Sequence, residues 1–289
     1  MGKVGFIGTG VMGNAMAGHL IDAGFELVVF NRTAEKTDNL VERGALCAAT
    51  PAEVAQQCDV VITMVGYPSD VEEVYFGQEG IIAHAPADAL LIDMTTSSPS
   101  LARRIFDEAQ AVGKHALDAP VSGGDVGAKN ATLTIMVGGE QTAFDRALPL
   151  FEAMGTNYAI HGSAGCGQHC KMANQINIAA TMMGMAESLA YAKAAGLDPM
   201  AVINTLSGGS SQTWSLSNYG PRVLKGDFAP GFFIKHFIKD LRIALEQADE
   251  MEIDLPGTML AKQLYERLSD QGCADLGTQA IVKLYFGEC

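Results

Sequence analysis

Short apolar runs alternate with amphipathic segments along the first half of the chain. The run at 3–8 ends in glycine, and a helical period follows at 11–23 until Gly24 stops it. Further apolar runs of strand length occupy 26–31, 59–65, 89–94, 115–121 and 132–139. Strict alternation of strand and helix predicts parallel βαβ units, and the near-continuous Val, Ile and Leu content predicts a sheet covered on both faces.

The pattern changes after about residue 162. From Ser163 onward the chain shows long helical periods and almost no strand signal. Helices are expected at 166–195, 199–206, 235–251, 256–271 and 278–286. The sequence therefore predicts an α/β fold: a Rossmann-type doubly wound parallel sheet in a nucleotide-binding domain at 1–162, followed by an all-helical C-terminal domain at 163–289.

Composition and charge limit the classes of partner, the cellular compartment and the kinds of site that we expect. The formal net charge of −14 repels nucleic acid and anionic membrane surfaces, so we expect neither as a partner. The six cysteines include no CxxC pair, and no secretory signal precedes the first strand, which predicts reduced thiols and a cytoplasmic protein. Cys166, His169 and Cys170 have no fourth ligand at suitable spacing, so no metal site is expected.

The segment from Gly8 to Gly13 has the pattern GxGxxG between a strand and a helix. Gly8 would make the tight turn, Gly10 would let the backbone approach a pyrophosphate, and Gly13 would let the helix pack closely on the sheet. Met12 lies in the same segment, and the helix N-terminus offers N–H groups to phosphates. We expect a dinucleotide site here; the alternative is a glycine-rich turn without a ligand.

The end of the second strand bears on which dinucleotide binds. A carboxylate there would bind the ribose 2′-hydroxyl of NAD, but the chain has Asn31, Arg32 and Thr33. Arg32 can pair with a 2′-phosphate, and Asn31 and Thr33 can donate to phosphate oxygens. The sequence therefore favours NADP over NAD, with NAD possible. The alternative is that Arg32 only caps the following helix.

Two further segments carry candidate chemistry. Ser122, Gly123 and Gly124 follow a strand end, where a hydroxyl and close backbone N–H groups suit a substrate carboxylate, although a plain turn would have the same residues. Lys171 opens a long apolar helix with Asn174 three residues later on the same face. An ammonium there could stabilise and protonate the alkoxide that hydride transfer to a carbonyl creates.

Lys239 belongs to a third cluster, in which Asp240 could hold its side chain. This lysine could reach the nicotinamide ribose or the substrate. An ordinary basic helix face explains the same residues.

The chain resembles the β-hydroxyacid dehydrogenase family, which includes 3-hydroxyisobutyrate dehydrogenase, tartronate semialdehyde reductase and the glyoxylate/succinic semialdehyde reductases. The resemblance covers nearly the whole chain and rests on GFIGTGVMGNAM at 5–16, DAPVSGG at 118–124, GCGQHCKMANQ at 165–175 and KD at 239–240. It implies an NAD(P)-dependent oxidoreductase that transfers hydride between nicotinamide and a small hydroxy acid or aldehyde acid.

The resemblance also implies roles for individual residues. Lys171 would be the catalytic acid and base, Ser122, Gly123 and Gly124 would bind the substrate carboxylate, and Asn174 would orient the substrate. Thr96 would contact the nicotinamide end, Met64 and Val65 would line the cofactor cleft, and Lys239 would lie beside the cofactor. Many family members have two asparagines after the lysine, where this chain has Asn174 and Gln175. A homodimer or homotetramer formed through the helical domain is expected.

Three other functions compete with this interpretation. The helical domain of 6-phosphogluconate dehydrogenase is much longer than the one predicted here. Imine reductases share the architecture but usually lack the lysine at position 171. A catalytically silent NADP-binding sensor or scaffold would have lost Lys171 or Ser122, and both are present.

Overall fold

The computed structural model of the protein describes residues 2–287, which divide into two compact units between Lys171 and Met172. The first unit is built on a sheet, and the second is built from helices. The functional boundary predicted after residue 162 stays a prediction. A single long helix, Cys166–Ala194, begins in the first unit and continues into the second.

Within the described part of the first unit, nine strands form one sheet. They are β1 (Val4–Ile7), β2 (Leu27–Phe30), β3 (Leu46–Cys47), β4 (Val60–Thr63), β5 (Leu90–Asp93), β6 (His115–Asp118), β7 (Val121–Ser122), β8 (Leu133–Gly139) and β9 (Gly155–Ile160). Their order is β3-β2-β1-β4-β5-β6-β8-β7, with β9 paired to β8. This is the strand order of a doubly wound dinucleotide-binding sheet, so the predicted fold class is confirmed.

The predicted series of parallel units does not extend to β8, at one side of the sheet. From β1 to β6 every paired strand is parallel, but β8 runs antiparallel to both β6 and β7. A parallel crossover needs a dozen or more residues, whereas only residues 123–132 connect β7 to β8. The chain therefore turns back on itself there. β9 then returns parallel to β8.

Helices cover both faces of this sheet. Successive strand residues point to opposite faces, and all four residues of β1 are buried, so apolar side chains on both faces need a covering layer. In β1, Phe6 packs into the cluster that includes helices α1 and α8, while Ile7 packs into the cluster that includes α3, α4 and α6. The helices of this unit are α1 (Val11–Asp22), α2 (Asp38–Glu42), α3 (Pro51–Gln57), α4 (Pro68–Phe76), α5 (Ile81–His84), α6 (Pro99–Ala111), α7 (Gly124–Lys129), α8 (Gln141–Met154) and the start of α9 (Cys166–Ala194).

The second unit contains the rest of α9 and the helices that follow it. These are α10 (Pro199–Ser207), α11 (Gly220–Leu224), α12 (Ile234–Glu250), α13 (Pro256–Leu268) and α14 (Lys283–Phe286), with π-helical turns at Ser215–Tyr219 and Ser269–Cys273 and a 3₁₀ turn at Thr278–Val282. The sequence pattern missed the helical segment from Ser215 to Leu224, where serine, asparagine and glycine mask the helical period. Phe237, Leu241 and Tyr265 lie in the core of this unit.

Candidate active site

Loops from neighbouring parallel strands meet at one edge of the sheet. Since β2, β1, β4, β5 and β6 are adjacent and parallel, the loops that follow them all leave from the carboxyl edge, where open α/β sheets bind ligands. The Thr9 N–H donates to the Asn31 side-chain oxygen at 3.0 Å, joining the loops after β1 and β2. The Val65 N–H donates to the Thr95 hydroxyl at 3.0 Å, joining those after β4 and β5.

The glycine-rich loop after β1 has the stereochemistry of a dinucleotide cradle. Gly8 has a φ of +96°, and a Cβ on Gly13 would lie 1.9 Å from the Gly8 carbonyl oxygen, so neither position admits a side chain without movement of the backbone. A Cβ on Gly10 would meet no atom of residues 2–287 within 4 Å. The Thr9 hydroxyl is buried and has no hydrogen-bond partner among the described residues. These features fit a bound pyrophosphate at the N-terminus of α1.

The residues after β2 have different surroundings. The Asn31 side chain forms hydrogen bonds to two other residues of the protein. Its oxygen accepts from the Thr9 N–H, and its Nδ2 donates to the Thr33 carbonyl at 2.9 Å. The Arg32 side chain is 82% exposed and forms an ion pair with Asp70 on α4, Nη1 to Oδ1, at 3.0 Å. Arg32 is thus paired with α4 and not with the helical turn that follows β2.

A buried carboxylate at the end of β5 organises the next two loops. The Asp93 side chain accepts from the Thr63 hydroxyl at 2.8 Å and from the Thr95 N–H at 3.1 Å. Burial raises the pKa of Asp93 to about 6, although these hydrogen bonds oppose the shift. Through Thr95, the same carboxylate sets the position of the Met64–Val65 loop and of the backbone that leads to Thr96.

A second buried carboxylate, Asp118 at the end of β6, holds the start of α9. Its two oxygens accept from the backbone N–H groups of Gly165 and Gln168, both at 2.8 Å. Helix N-termini leave such N–H groups without intrahelical acceptors, so Asp118 caps a helix that begins 48 residues later in the chain, at Cys166. Burial raises the pKa of Asp118, and the two backbone hydrogen bonds work against that rise.

The Gln168 side chain adds a second attachment of the same helix. Its oxygen accepts from the Ser97 N–H at 3.0 Å, and its Nε2 donates to the Thr95 carbonyl at 2.8 Å. Gln168 is fully buried, and Lys171 follows three residues later with 5% exposure. Because side chains three residues apart lie on one face of a helix, the contacts of Gln168 also position Lys171.

The backbone at the predicted carboxylate site is unusual. Gly123 has a φ of +128° and Gly124 a φ of +60°, conformations that residues with a side chain rarely adopt. They directly follow Ser122, the last residue of β7, which is half-buried. The arrangement is compatible with backbone N–H groups that face a small anion.

Within the second unit, four polar side chains form a continuous chain. The Asn174 Nδ2 donates to the Gln175 Oε1 at 2.8 Å, and the Gln175 Nε2 donates to the Asp240 Oδ2 at 2.6 Å. The Lys239 Nζ lies 3.1 Å from the Asp240 Oδ1, and the Asp240 side chain is 1% exposed. This arrangement directs the donor of Asn174 toward Gln175 and leaves its oxygen as the acceptor available to a ligand.

The structure therefore brings the predicted cofactor residues of the first unit to one sheet edge, and it links Asn174 and Lys239 through Gln175 and Asp240. Sequence reasoning did not assign roles to the supporting residues Asp70, Thr95, Asp118 and Gln168. Asp118 and Gln168 lie within the quoted motifs, which was the one signal available for them. Nothing in the sequence distinguishes Asp70 from other acidic residues on helix surfaces.

Residues 2–287 contain neither a metal-binding cluster nor a membrane-spanning helix. No group of three or more His, Cys, Asp or Glu side chains is arranged to hold a metal ion in this part of the chain. None of its helices combines the length and apolar character needed to cross a bilayer.

Comparison with known proteins identifies the family. Residues 3–162 match the NAD-binding domain of 6-phosphogluconate dehydrogenase, and residues 165–285 match the NAD-binding domain of NADP-dependent 3-hydroxyisobutyrate dehydrogenase. The chain is 49% identical to a probable 3-hydroxyisobutyrate dehydrogenase-like protein of Arabidopsis thaliana, over 97% of this chain and 84% of the relative. It is 38% identical to 2-hydroxy-3-oxopropionate reductase of Escherichia coli, over 97% and 96%.

A solved structure agrees with these relatives. The 3-hydroxyisobutyrate dehydrogenase of Mycobacterium tuberculosis, solved with L-serine, superposes with a TM-score of 0.90 and 30% identity, covering 98% of this chain and 99% of that one. The sequence-based expectation of the family is confirmed. The chain belongs to the β-hydroxyacid dehydrogenase family and is an NAD(P)-dependent oxidoreductase acting on the CH–OH group of its substrates.

Proposed function

We propose that the protein interconverts a small aldehyde acid and the corresponding hydroxy acid with NADP(H), using Lys171 as the acid and base. The observation that carries this proposal is the placement of Lys171: it is buried, and it lies one helical turn after Gln168 on a helix start that Asp118 fixes to the sheet. A general acid must be held in a defined position, and a buried lysine fixed by its helix meets that requirement.

The chemistry follows from the residues of the chain. The nicotinamide, when bound, supplies or accepts the hydride. In the reducing direction the carbonyl oxygen gains negative charge, and the Lys171 ammonium stabilises that charge and then donates its proton to give the hydroxyl. In the oxidising direction the neutral lysine takes the same proton.

Substrate and cofactor positions are proposed for the remaining residues. Ser122, Gly123 and Gly124 bind the substrate carboxylate, which directs the carbonyl toward the nicotinamide. The Asn174 side-chain oxygen accepts from the substrate hydroxyl. The E. coli relative is named for 2-hydroxy-3-oxopropionate, which is tartronate semialdehyde, and this favours short aldehyde acids as the substrate class.

The proposed cofactor site spans several loops. The glycines at 8, 10 and 13 and the adjacent Met12 hold the pyrophosphate end, and Asn31, Arg32 and Thr33 hold the adenosine end. Met64, Val65 and Thr96 line the nicotinamide side, and Lys239 contributes a cation beside the cofactor. The exposed guanidinium of Arg32 and the lack of a carboxylate at the end of β2 favour NADP over NAD. We further propose a homodimer or homotetramer.

The test follows NADPH and NADH oxidation with glyoxylate, succinic semialdehyde, methylmalonate semialdehyde and tartronate semialdehyde, and NADP reduction with L-serine. Lys171→Ala should lower kcat by about 10²–10⁴-fold, because general acid catalysis is lost, while NADPH binding persists. Lys171→Arg retains the positive charge but cannot give up a proton near neutral pH, so it should remain nearly as slow.

Lys193→Ala, in the last turn of the same helix, is the matched control and should retain wild-type turnover. Full activity in Lys171→Ala would disprove the assigned acid and base. Tight NADPH binding without turnover of any substrate in the panel would favour a silent binding module instead.

A further inference from the structure

Arg32 and Asp70 face each other across the proposed adenosine end of the cofactor site. Arg32 follows β2, whereas Asp70 lies in the first turn of α4, which begins after the loop that follows β4. In the sheet order β2-β1-β4 these two loops flank the glycine-rich loop. A Cβ on Gly8 would lie 2.3 Å from the Met64 carbonyl oxygen, so the loop that leads to Asp70 packs directly against that cradle.

The two partners differ in how firmly they are held. The Asp70 side chain is 18% exposed, and its Oδ2 accepts from the Tyr67 N–H at 3.0 Å, which fixes the carboxylate at the start of α4. The Arg32 side chain is 82% exposed on a long flexible stem. Asp70 is therefore the fixed member of the pair, and Arg32 takes its position from Asp70.

A 2′-phosphate would need the same guanidinium. Arg32 Nη1 is directed at Asp70 Oδ1 at 3.0 Å, so a phosphate that binds Arg32 either displaces this carboxylate or shares the guanidinium with it. In both cases an anionic phosphate comes close to a fixed carboxylate of like charge, which weakens its binding. The ribose of NAD carries a neutral hydroxyl at that position and experiences no such repulsion.

We propose that Asp70 is a cofactor-selectivity residue that competes with the 2′-phosphate for Arg32 and so moderates the preference for NADP over NAD. The proposal rests on the assignment of Arg32 as the residue that binds the 2′-phosphate.

Asp70→Asn tests the competition, because the amide oxygen can still accept from the Tyr67 N–H while the charge is removed. We expect NADPH to bind about two- to fivefold more tightly, the range that an exposed ion pair supports, with NADH binding unchanged. Dissociation constants come from quenching of cofactor fluorescence at fixed ionic strength. Glu72→Gln is the charge-matched control, since it removes one carboxylate from the same helix, where Glu72 pairs with Arg104.

A double-mutant cycle with Arg32→Ala separates the possible outcomes. If Asp70 competes for Arg32, Asp70→Asn should have little effect once Arg32 is absent, whereas an undiminished gain in NADPH affinity would show direct repulsion of the phosphate and overturn the competition. An unchanged or lowered ratio of NADPH to NADH affinity in Asp70→Asn, with Arg32→Ala still weakening NADPH, would overturn the competition and leave the role of Arg32 intact. If Arg32→Ala leaves NADPH affinity unchanged, the assignment of Arg32 itself fails.

Discussion

The glycine-rich loop and the start of α9 are two turns at the same sheet, yet the chain specifies them in different ways. The loop after β1 is fixed by local stereochemistry: Gly8 has a positive φ, and Gly13 lies against the Gly8 carbonyl. The start of α9 is fixed by side chains remote in sequence, with Asp118 accepting from Gly165 and Gln168. The first region depends on the lack of a Cβ atom at two glycines, and the second depends on a buried carboxylate.

This difference predicts how each region responds to substitution and to pH. A single added methyl group should disrupt a loop that is defined by glycine. The loss of unfolding free energy should depend on the space around that glycine. A helix start defined by a buried carboxylate should respond to the loss of charge and to pH, because a carboxylate can be protonated or replaced by an amide of the same shape.

The largest expected effect follows Gly13→Ala. Its Cβ would lie 1.9 Å from the Gly8 carbonyl oxygen, so α1 must move away from the loop, and we expect about 2–4 kcal/mol lower unfolding free energy together with lost NADPH binding. Denaturant unfolding and cofactor titration measure the two effects.

Gly10→Ala is the control, because a Cβ there meets no atom of the described residues within 4 Å. Its unfolding free energy should change by less than about 1 kcal/mol, the range for Ala at a helix N-cap, while NADPH binding weakens. Equal destabilisation by the two variants would contradict the stereochemical argument.

A smaller effect is expected from Asp118→Asn. The new amide nitrogen is a donor and cannot accept from one of the two backbone N–H groups, so the unfolding free energy should fall by about 1–3 kcal/mol. Because the start of α9 also positions Lys171, kcat should fall more than KM rises. A variant with lowered stability and unchanged kcat would show that the cap serves folding alone.

The last effect depends on pH and concerns Asp93. Its pKa in the folded protein is raised to about 6 by burial, so the folded state binds a proton that the unfolded chain has already released. This contribution to stability is present below the unfolded pKa and is lost as the pH rises through about 6. Melting temperatures of wild type and Asp93→Asn should therefore diverge between pH 4 and pH 7, and parallel curves would contradict the assignment.

The sequence predicted those parts of the molecule that depend on neighbours in the chain. Apolar runs located six strands, and the GxGxxG spacing located the cradle, because a strand, a turn and a helix start are local events. The strands at Leu46–Cys47 and Gly155–Ile160 were missed: the first has two exposed residues, and the second has one fully buried residue among its six. Neither has an apolar period for a sequence to reveal.

The residues of the candidate site also separate into those that a local motif reveals and those that only the tertiary structure reveals. Ser122 and Lys171 stood out because their motifs are contiguous, whereas the roles of Asp118 and Gln168 depend on hydrogen bonds across 47 to 73 residues of chain. The Arg32–Asp70 pair spans two helix–strand units and has no local signature. Side chains that hold other side chains in place acquire that role only from the tertiary structure.

The carboxylate cap of α9 also affects how the helix opens. First-turn amides commonly exchange their hydrogens quickly, since the end of a helix can fray without disturbing the rest. Here fraying would leave the buried Asp118 carboxylate without its hydrogen-bond donors, so we expect the turn before Lys171 to open only together with the carboxyl edge of β6. We therefore expect the Lys171 backbone amide to exchange its hydrogen as slowly as the amides of the sheet, although it lies close to the end of a helix.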